Sequence, residues 1–204
     1  MLRIFDFLFP PRVDEVTLRG VSTDDFLALV VPRLIVETRP ETVGLLPFSH
    51  ASVRSAIHEA KYHGSEHAFN LLGAALGEYL ADIDEGFTKS FIVVPVPLGR
   101  ERRKERGFNQ VEEIAKRAAK LLGGASVDTA LLVRTRETAS QVSLPREARG
   151  ENMRGAFRTM RPADPVCTYI VLDDVITTGA TLGAAIASLK EAGATHIVPL
   201  ALAH

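Results

Sequence analysis

The sequence predicts an α/β fold, in which an open, twisted, mostly parallel sheet carries helices on both faces. From residue 90 onward, short apolar runs rich in β-branched residues alternate with helical patterns. This order requires right-handed crossover connections between parallel strands. The first residues show little of that alternation, so we expect a small, mainly helical appendage over residues 1–48 and the main domain over residues 49–204.

The composition is that of an ordinary globular protein. The 204 residues are 46% hydrophobic and 24% charged with a net charge of −1, which excludes a uniformly basic nucleic-acid-binding protein. The lone cysteine of the sequence, Cys167, excludes an internal disulfide and a cysteine-based zinc site. The apolar run Ile4–Phe9 is too short for a signal peptide, and no run is long enough to span a bilayer. We therefore expect a cytoplasmic protein without membrane contact.

Helical patterns dominate the first part of the chain. Ser22 is a candidate N-cap for a short helix, and two further helices are expected over residues 51–61 and 66–80. His63 and His67 are four residues apart, a spacing that can present two imidazoles to a metal. No further ligand cluster accompanies them in the sequence, so two solvated histidines are the favoured interpretation.

The main domain is predicted to alternate strands and helices. Strands are expected at 91–94, 130–133, 156–157, 169–172 and 195–202, and helices at 109–122 and 181–192. The core face of the first of these helices is expected to consist of Val111, Ile114, Ala115, Ala118, Leu121 and Leu122. Residues 135–153 are polar and form a functional or disordered loop. Ligands of such sheets bind beyond the carboxyl ends of the strands, which places residues 95–100 beside residues 173–181.

Residues 168–181 carry the strongest chemical signal. A buried-strand run ends in Asp173 and Asp174, and Thr177, Thr178, Gly179 and Thr181 then open a helix. Backbone N–H groups, hydroxyls and a helix N-terminus suit a phosphate, and the carboxylates suit sugar hydroxyls or a divalent cation.

Competing interpretations of these residues are weaker. A nucleotide hydrolase would need a G-x-x-x-x-G-K-[ST] loop, which the chain lacks. A phosphatase with an aspartyl nucleophile would need acids spaced by one residue, and Val175 is not an acid. A plain Asp-capped turn does not explain three threonines and a glycine so close together.

The same stretch resembles the phosphoribosyl pyrophosphate (PRPP) loop of the type I phosphoribosyltransferases. The resemblance implies that family's fold and a glycosyltransferase activity in nucleotide metabolism. It also implies that Asp173 and Asp174 are the catalytic residues, that they grip the ribose hydroxyls, and that Mg²⁺ is held there through those hydroxyls or water. The residues implied for the 5-phosphate are Thr177, Thr178, Gly179, Ala180 and Thr181. Those implied for the pyrophosphate are Val96, Pro97, Leu98, Arg100 and Arg149.

Further motifs are similar to the competence protein F (ComF/GntX-like) subfamily. They are Ile57-His58-x-x-Lys61-Tyr62-x-Gly64, Val94-Pro95-Val96-Pro97-Leu98, Arg106-Gly107-Phe108-Asn109-Gln110, and Thr138-x-x-Gln141-x-x-Leu144 with Arg149-x-x-Asn152-x-x-Gly155-Ala156-Phe157. That subfamily commonly begins with half of a four-cysteine zinc site. Here Val13 and Val16 stand where those cysteines would fall, so the zinc module is lost and a small apolar core is expected in its place.

Three functions are compatible with the resemblance. The first is transfer of ribose 5-phosphate from PRPP to an unidentified nitrogen acceptor, such as a base. The second is a competence or DNA-uptake factor that binds single-stranded DNA and retains the PRPP site as scaffold or sensor, and the third is a PRPP-responsive regulator. The basic cluster at residues 100–106 fits pyrophosphate contact at Arg100, nucleic-acid contact, or a solvated helix. A homodimer also stays open.

Overall fold

The computed structural model describes residues 12–84, 91–123, 126–136 and 153–204. The helices are α1 (Val13–Arg19), α2 (Thr23–Leu27), α3 (Ala51–His63), α4 (Glu66–Asp84), α5 (Arg100–Arg106), α6 (Gln110–Leu121) and α7 (Ala180–Glu191). The strands are β1 (Arg33–Ile35), β2 (Thr42–Leu46), β3 (Phe91–Pro95), β4 (Ser126–Val127), β5 (Leu132–Arg134), β6 (Phe157–Thr159), β7 (Thr168–Val175) and β8 (His196–Ala203).

Six of these strands form one mostly parallel sheet, in the order β1-β2-β8-β7-β3-β4. The β1–β2 pair is antiparallel and the other pairs are parallel. Side chains of strand β7 point alternately into two buried cores, one on each face of the sheet. Ile170 and Leu172 pack with α3, α4 and α6, whereas Tyr169 and Val171 pack with α7. The mixed α/β class and the mostly parallel sheet are thus confirmed.

The N-terminal part differs from the expected mainly helical appendage. It contributes two strands, and β2 lies inside the main sheet, parallel to β8 with Val43 opposite Leu200. Leu45 and Leu46 of β2 are fully buried in the same core as Leu18 and Phe26. The apolar run of β2 is short and lies between prolines, so its local pattern gives little strand signal.

The expected apolar core at Val13 and Val16 is wrong. Their exposed fractions are 83% and 51%, so neither side chain is packed. Polar contacts instead join α1 to α3: Arg12 forms two hydrogen bonds of 2.9 and 2.7 Å with the buried carboxylate of Glu59. Asp14 accepts a 2.8 Å hydrogen bond from the hydroxyl of Ser55.

The strand expected at residues 130–133 lies outside the main sheet. Strand β5 pairs with β6 in a separate antiparallel ribbon, with Leu132 opposite Thr159. The edge of the main sheet beside β3 is taken by β4, which the sequence pattern missed. The side chain of Asp128 accepts hydrogen bonds from the N–H groups of Ala130 and Leu131, and this turn directs the chain away from the sheet.

Helix boundaries agree closely with the sequence signals. The side chain of Ser22 caps α2 and that of Asn109 caps α6, while α3 ends at Gly64 with a left-handed φ of 58°. One core residue was assigned wrongly, since Leu121 is 66% exposed at the end of α6. It lies against Gly77 of α4, which offers no side chain for it to pack against.

Candidate functional site

A cleft of about 820 Å³ opens at the carboxyl ends of β3 and β7. These strands pair in parallel with Pro95 opposite Leu172, and the N–H of Val96 donates to the carbonyl of Leu172 at 2.9 Å. The turn after β3 and the acids after β7 therefore meet at one edge of the sheet, as predicted. Helices α3 and α5 supply much of the remaining cleft wall, with Lys61 and Arg106 among its side chains.

Asp174 is the more enclosed of the two acids, with an exposed fraction of 8%. Its Oδ2 accepts a 2.6 Å hydrogen bond from the side-chain amide of Gln110 and lies 3.4 Å from the ammonium of Lys61. Its Oδ1 accepts a 2.7 Å hydrogen bond from the N–H of Val175. Three different elements thus fix this carboxylate in the cleft wall.

Asp173 is half-buried beside it and has a different electrostatic environment. Burial, followed by the charge of Asp174, raises the pKa of Asp173 to about 7, and the Asp174 N–H, Lys61 and Arg134 oppose that rise. Its carboxyl group therefore changes charge near neutral pH. Two adjacent carboxylates of this kind fit the oxygen ligands that Mg²⁺ prefers.

The loop at residues 177–181 leads into α7. Thr177 and Thr181 line the cleft, whereas Thr178, Gly179 and Ala180 are not among its lining residues. Gly179 is the N-cap of α7, with a φ of 81° and no side-chain capping bond. The first turn of a 12-residue helix thus begins beside the acids, a position that favours an anion.

The back of this loop rests on the chain before β2. The N–H of Arg39 donates to the carbonyl of Thr178 at 3.2 Å. A Cβ atom at Gly179 would lie 2.8 Å from the carbonyl oxygen of Arg39, so any larger residue would force one of the two backbone segments to shift. The loop is consequently held from behind by backbone atoms.

The residues predicted for the pyrophosphate are only partly brought together. Val96, Pro97 and Leu98 line the cleft, and the side chain of Asn109 donates to the Val96 carbonyl at 3.0 Å. Arg100 begins α5 as an exposed side chain and is not among the residues that line the cleft. Arg149 lies outside the described residues, as does most of the 135–153 loop.

Sequence reasoning missed several cleft residues. Lys61, Tyr62, Arg102, Arg106 and Gln110 all line the cleft. Lys61, Tyr62 and Gln110 belong to the motifs around residues 57–64 and 106–110, to which no chemistry was assigned, whereas Arg102 and Arg106 belong to the basic cluster whose role was left open. The four-residue spacing of Arg102 and Arg106 places both on one face of a helix, and this was the available signal for that pair.

His63 and His67 do not form the metal site that their four-residue spacing allowed. The Nε2 of His67 lies 3.0 Å from the carbonyl oxygen of Leu18. A different group within the described residues, His58, Glu59 and His63, has its possible ligand atoms within 4.8 Å of one another. Because Arg12 already neutralises Glu59, this group is better explained as part of the α1–α3 contact.

Comparison with known proteins finds several relatives of this chain, and no model of a protein family matches it. The chain is 34% identical over 143 residues to the DNA utilization protein YhgH of Salmonella typhi, covering 69% of this chain and 62% of that protein. It is 29% identical over 107 residues to competence protein F of Haemophilus influenzae, covering 52% and 46%. With competence protein ComFC of Bacillus subtilis it shares 35% identity over 105 residues, covering 52% and 40%.

The chain spans less than two thirds of the length of these curated relatives, with 62% at most among the three. Across the described ranges, none of the helices combines the length and the apolar character that crossing a membrane requires.

Proposed function

We propose that this chain is a protein of the competence protein F family, which its relatives support, and that it binds PRPP and transfers the ribose 5-phosphate to a nitrogen acceptor. The observation that carries the proposal is the meeting of Asp173 and Asp174 with the residue 177–181 loop in one cleft. Acids for ribose hydroxyls and a helix N-terminus for a phosphate are the two groups that a phosphorylated sugar needs.

In the proposed reaction, the bond from ribose C1 to the pyrophosphate oxygen breaks and its electron pair leaves with pyrophosphate. The acceptor nitrogen forms the new bond to C1 and releases a proton to water. Asp174, fixed by Gln110 and Val175, accepts from a ribose hydroxyl and its negative charge favours the developing cation. Asp173 acts in its ionised form, which dominates above pH 7.

The two phosphate groups of PRPP are assigned to the loops that follow the neighbouring strands β7 and β3. N–H groups of the residue 177–181 loop and the α7 N-terminus hold the 5-phosphate. The turn at Val96–Leu98 holds the pyrophosphate, and Lys61 adds positive charge to the same cleft. Bound Mg²⁺ would neutralise pyrophosphate charge, and the acids at 173 and 174 are the residues that would hold it through sugar hydroxyls or water.

Calorimetric titration of PRPP with Mg²⁺ tests the donor site. We expect the wild-type protein to bind and the Asp174→Ala, Thr178→Ala double variant to lose at least tenfold in affinity. Asp82→Ala, which removes an exposed carboxylate on α4, is the control and leaves binding unchanged. No binding by the wild type, or equal binding by the double variant, would refute the site. A screen of nitrogen bases for pyrophosphate release then tests transfer.

The names of the relatives favour a second candidate, a DNA-handling factor that keeps the PRPP site as scaffold or sensor. Helix α5 carries a local basic patch that includes Arg102, Arg103 and Lys104, and of these three Arg102 lines the cleft. Single-stranded DNA binding with a steep salt dependence, lost when these three residues become alanine, would support this function. A PRPP-responsive regulator would bind PRPP without releasing pyrophosphate for any acceptor.

A further inference from the structure

We propose that the part of the cleft formed by α3 and α5 is a nucleotide subsite, where a nucleobase stacks on Tyr62 and its phosphate is bound by Arg102. The inference rests on the proposed function, because it names the chemical class of the second ligand beside the PRPP site. The shared chemistry is a nucleobase with an attached phosphate, whether from a free nucleotide or from the end of a single strand.

The stacking platform consists of three planar side chains. The ring of Tyr62 lies 4.7 Å from that of His58, and the guanidinium of Arg106 lies 5.1 Å from the Tyr62 centroid. All three side chains line the cleft, and Tyr62 is 54% exposed. An exposed aromatic ring flanked by a cation is the arrangement on which bases stack with little sequence preference.

This platform is tied to the acids. Arg106 donates to the side-chain oxygen of Gln110 at 3.2 Å, and the amide nitrogen of Gln110 donates to Asp174 at 2.6 Å. On the other side, Lys61 precedes Tyr62 in α3 and reaches the same carboxylate at 3.4 Å. A base on Tyr62 would therefore share one cleft and one set of supporting residues with the sugar site.

Charge in the cleft favours an anionic ligand. The lining residues include more cations than acids: Arg54, Lys61, Arg102, Arg106 and Arg134 against Asp14, Asp173 and Asp174. Lys61 is paired with Asp174, and Arg106 is held by Gln110. Arg102 is half-buried and makes no hydrogen bond or ion pair with any residue of the described ranges, which leaves its guanidinium for a phosphate.

Titration of the full chain with nucleoside 5′-monophosphates tests the subsite. The nucleosides, which lack the phosphate, and inorganic phosphate, which lacks the base, are titrated for comparison. We expect at least one monophosphate to bind more tightly than its nucleoside or inorganic phosphate alone. Tyr62→Ala should weaken it about tenfold, since stacking is worth about 1–3 kcal/mol per base, and Tyr62→Phe should keep the affinity within about twofold. Arg102→Ala should weaken it several-fold.

Lys120→Ala, which removes an exposed cation of α6 outside the cleft, is the control and should leave nucleotide affinity unchanged. Arg103→Ala separates the two kinds of ligand, because Arg103 lies beside Arg102 on α5 but is exposed and bonded to Glu112. If Arg103→Ala weakens binding as much as Arg102→Ala, and oligonucleotides alone bind, the ligand is a strand that follows the whole basic helix and the subsite is refuted. Absence of nucleotide binding, or binding indifferent to Tyr62→Ala, also refutes it.

PRPP titration of the same variants separates the two proposals. Tyr62→Ala should bind PRPP like the wild type, because the platform is assigned to the second ligand. A wild type that binds nucleotides with the expected variant pattern but not PRPP would refute the donor site alone. A wild type that binds PRPP but no nucleotide would refute the subsite alone.

Discussion

The side-chain amide of Gln110 donates a 2.6 Å hydrogen bond to the carboxylate of Asp174. Gln110 begins α6 and Asp174 lies near the end of β7, so the bond joins a helix start to a strand end. Gln110 also accepts from Arg106, and its exposed fraction is only 3%. The buried Gln110 amide, whose oxygen and nitrogen are both hydrogen-bonded, therefore fixes the position of Asp174 in the cleft.

Replacing Gln110 by alanine should destabilise the protein by about 1–3 kcal/mol, because a buried carboxylate oxygen loses its donor. Urea unfolding at pH 7 measures the free energy of unfolding. Lys120→Ala, at an exposed position of the same helix, is the control and should change it by less than about 0.5 kcal/mol. Equal stability of Gln110→Ala and the wild type would show that the bond contributes nothing net.

Gly179→Ala should destabilise the protein by more than Gly107→Ala does. Both glycines have left-handed φ angles, 81° and 79°, which cost an alanine about 1–2 kcal/mol. A Cβ at Gly107 meets open space, whereas one at Gly179 would lie 2.8 Å from the Arg39 carbonyl oxygen. Thermal unfolding of the two variants measures the difference. Equal losses would mean that the contact with Arg39 relaxes without cost.

The raised pKa of Asp173 predicts a pH dependence of stability in chelator-treated protein. Between the ordinary pKa of 3.8 and the folded-state pKa of about 7, the folded state binds more protons than the unfolded chain, so stability falls as the pH rises over this range and levels off above about 7. Asp173→Asn should remove this slope and be more stable than the wild type at pH 8 by about 1–3 kcal/mol.

Urea unfolding of the wild type and Asp173→Asn at pH 4 and pH 8 tests that dependence. At pH 4 the two proteins should differ little, because this pH is close to the ordinary pKa of 3.8 and Asp173 is protonated to a large extent in the unfolded chain as well as in the folded state. Parallel pH profiles for the two proteins would contradict the assigned pKa.

Removing Arg12 should destabilise the attachment of α1 to α3. The Glu59 carboxylate is 1% exposed, and Arg12→Ala would leave it buried without its bidentate partner. We expect a loss of about 2–4 kcal/mol in urea unfolding, reduced because the arginine itself is partly solvated. Arg19→Ala, which breaks an exposed pair with Glu15, should cost about 0.5 kcal/mol or less. Similar losses for both variants would mean that burial of Glu59 has no effect.

The parts of the fold that sequence could predict are those with local signals. Strand β7 has an uninterrupted apolar run, and α6 has a capping side chain at Asn109. Strand β2 gave no such signal, because its stability comes from β8 rather than from its own short sequence. The same distinction explains Ser126–Val127, a two-residue strand defined only by pairing with β3.

The residues of the candidate site also fall into those with a local sequence signal and those without one. Asp173, Asp174 and the threonine loop are contiguous in the chain, so their pattern was readable. Lys61 and Gln110 reach the acids from other elements, and nothing in their spacing from Asp174 indicates the contact. Arg100 looked closest to the strand end, yet the turn of α5 directs Arg102 and Arg106 into the cleft instead.

The pairing of β2 with β8 has a consequence for synthesis of the chain. Val43 emerges from the ribosome early, but its partner Leu200 is made only after the rest of the sheet. Until then Leu45 and Leu46, which are fully buried in the folded protein, lack the neighbouring strand that encloses them. Contacts between such distant residues form slowly and leave apolar strand edges open meanwhile. Nascent chains that stop before β8 are therefore expected to be substrates for chaperones.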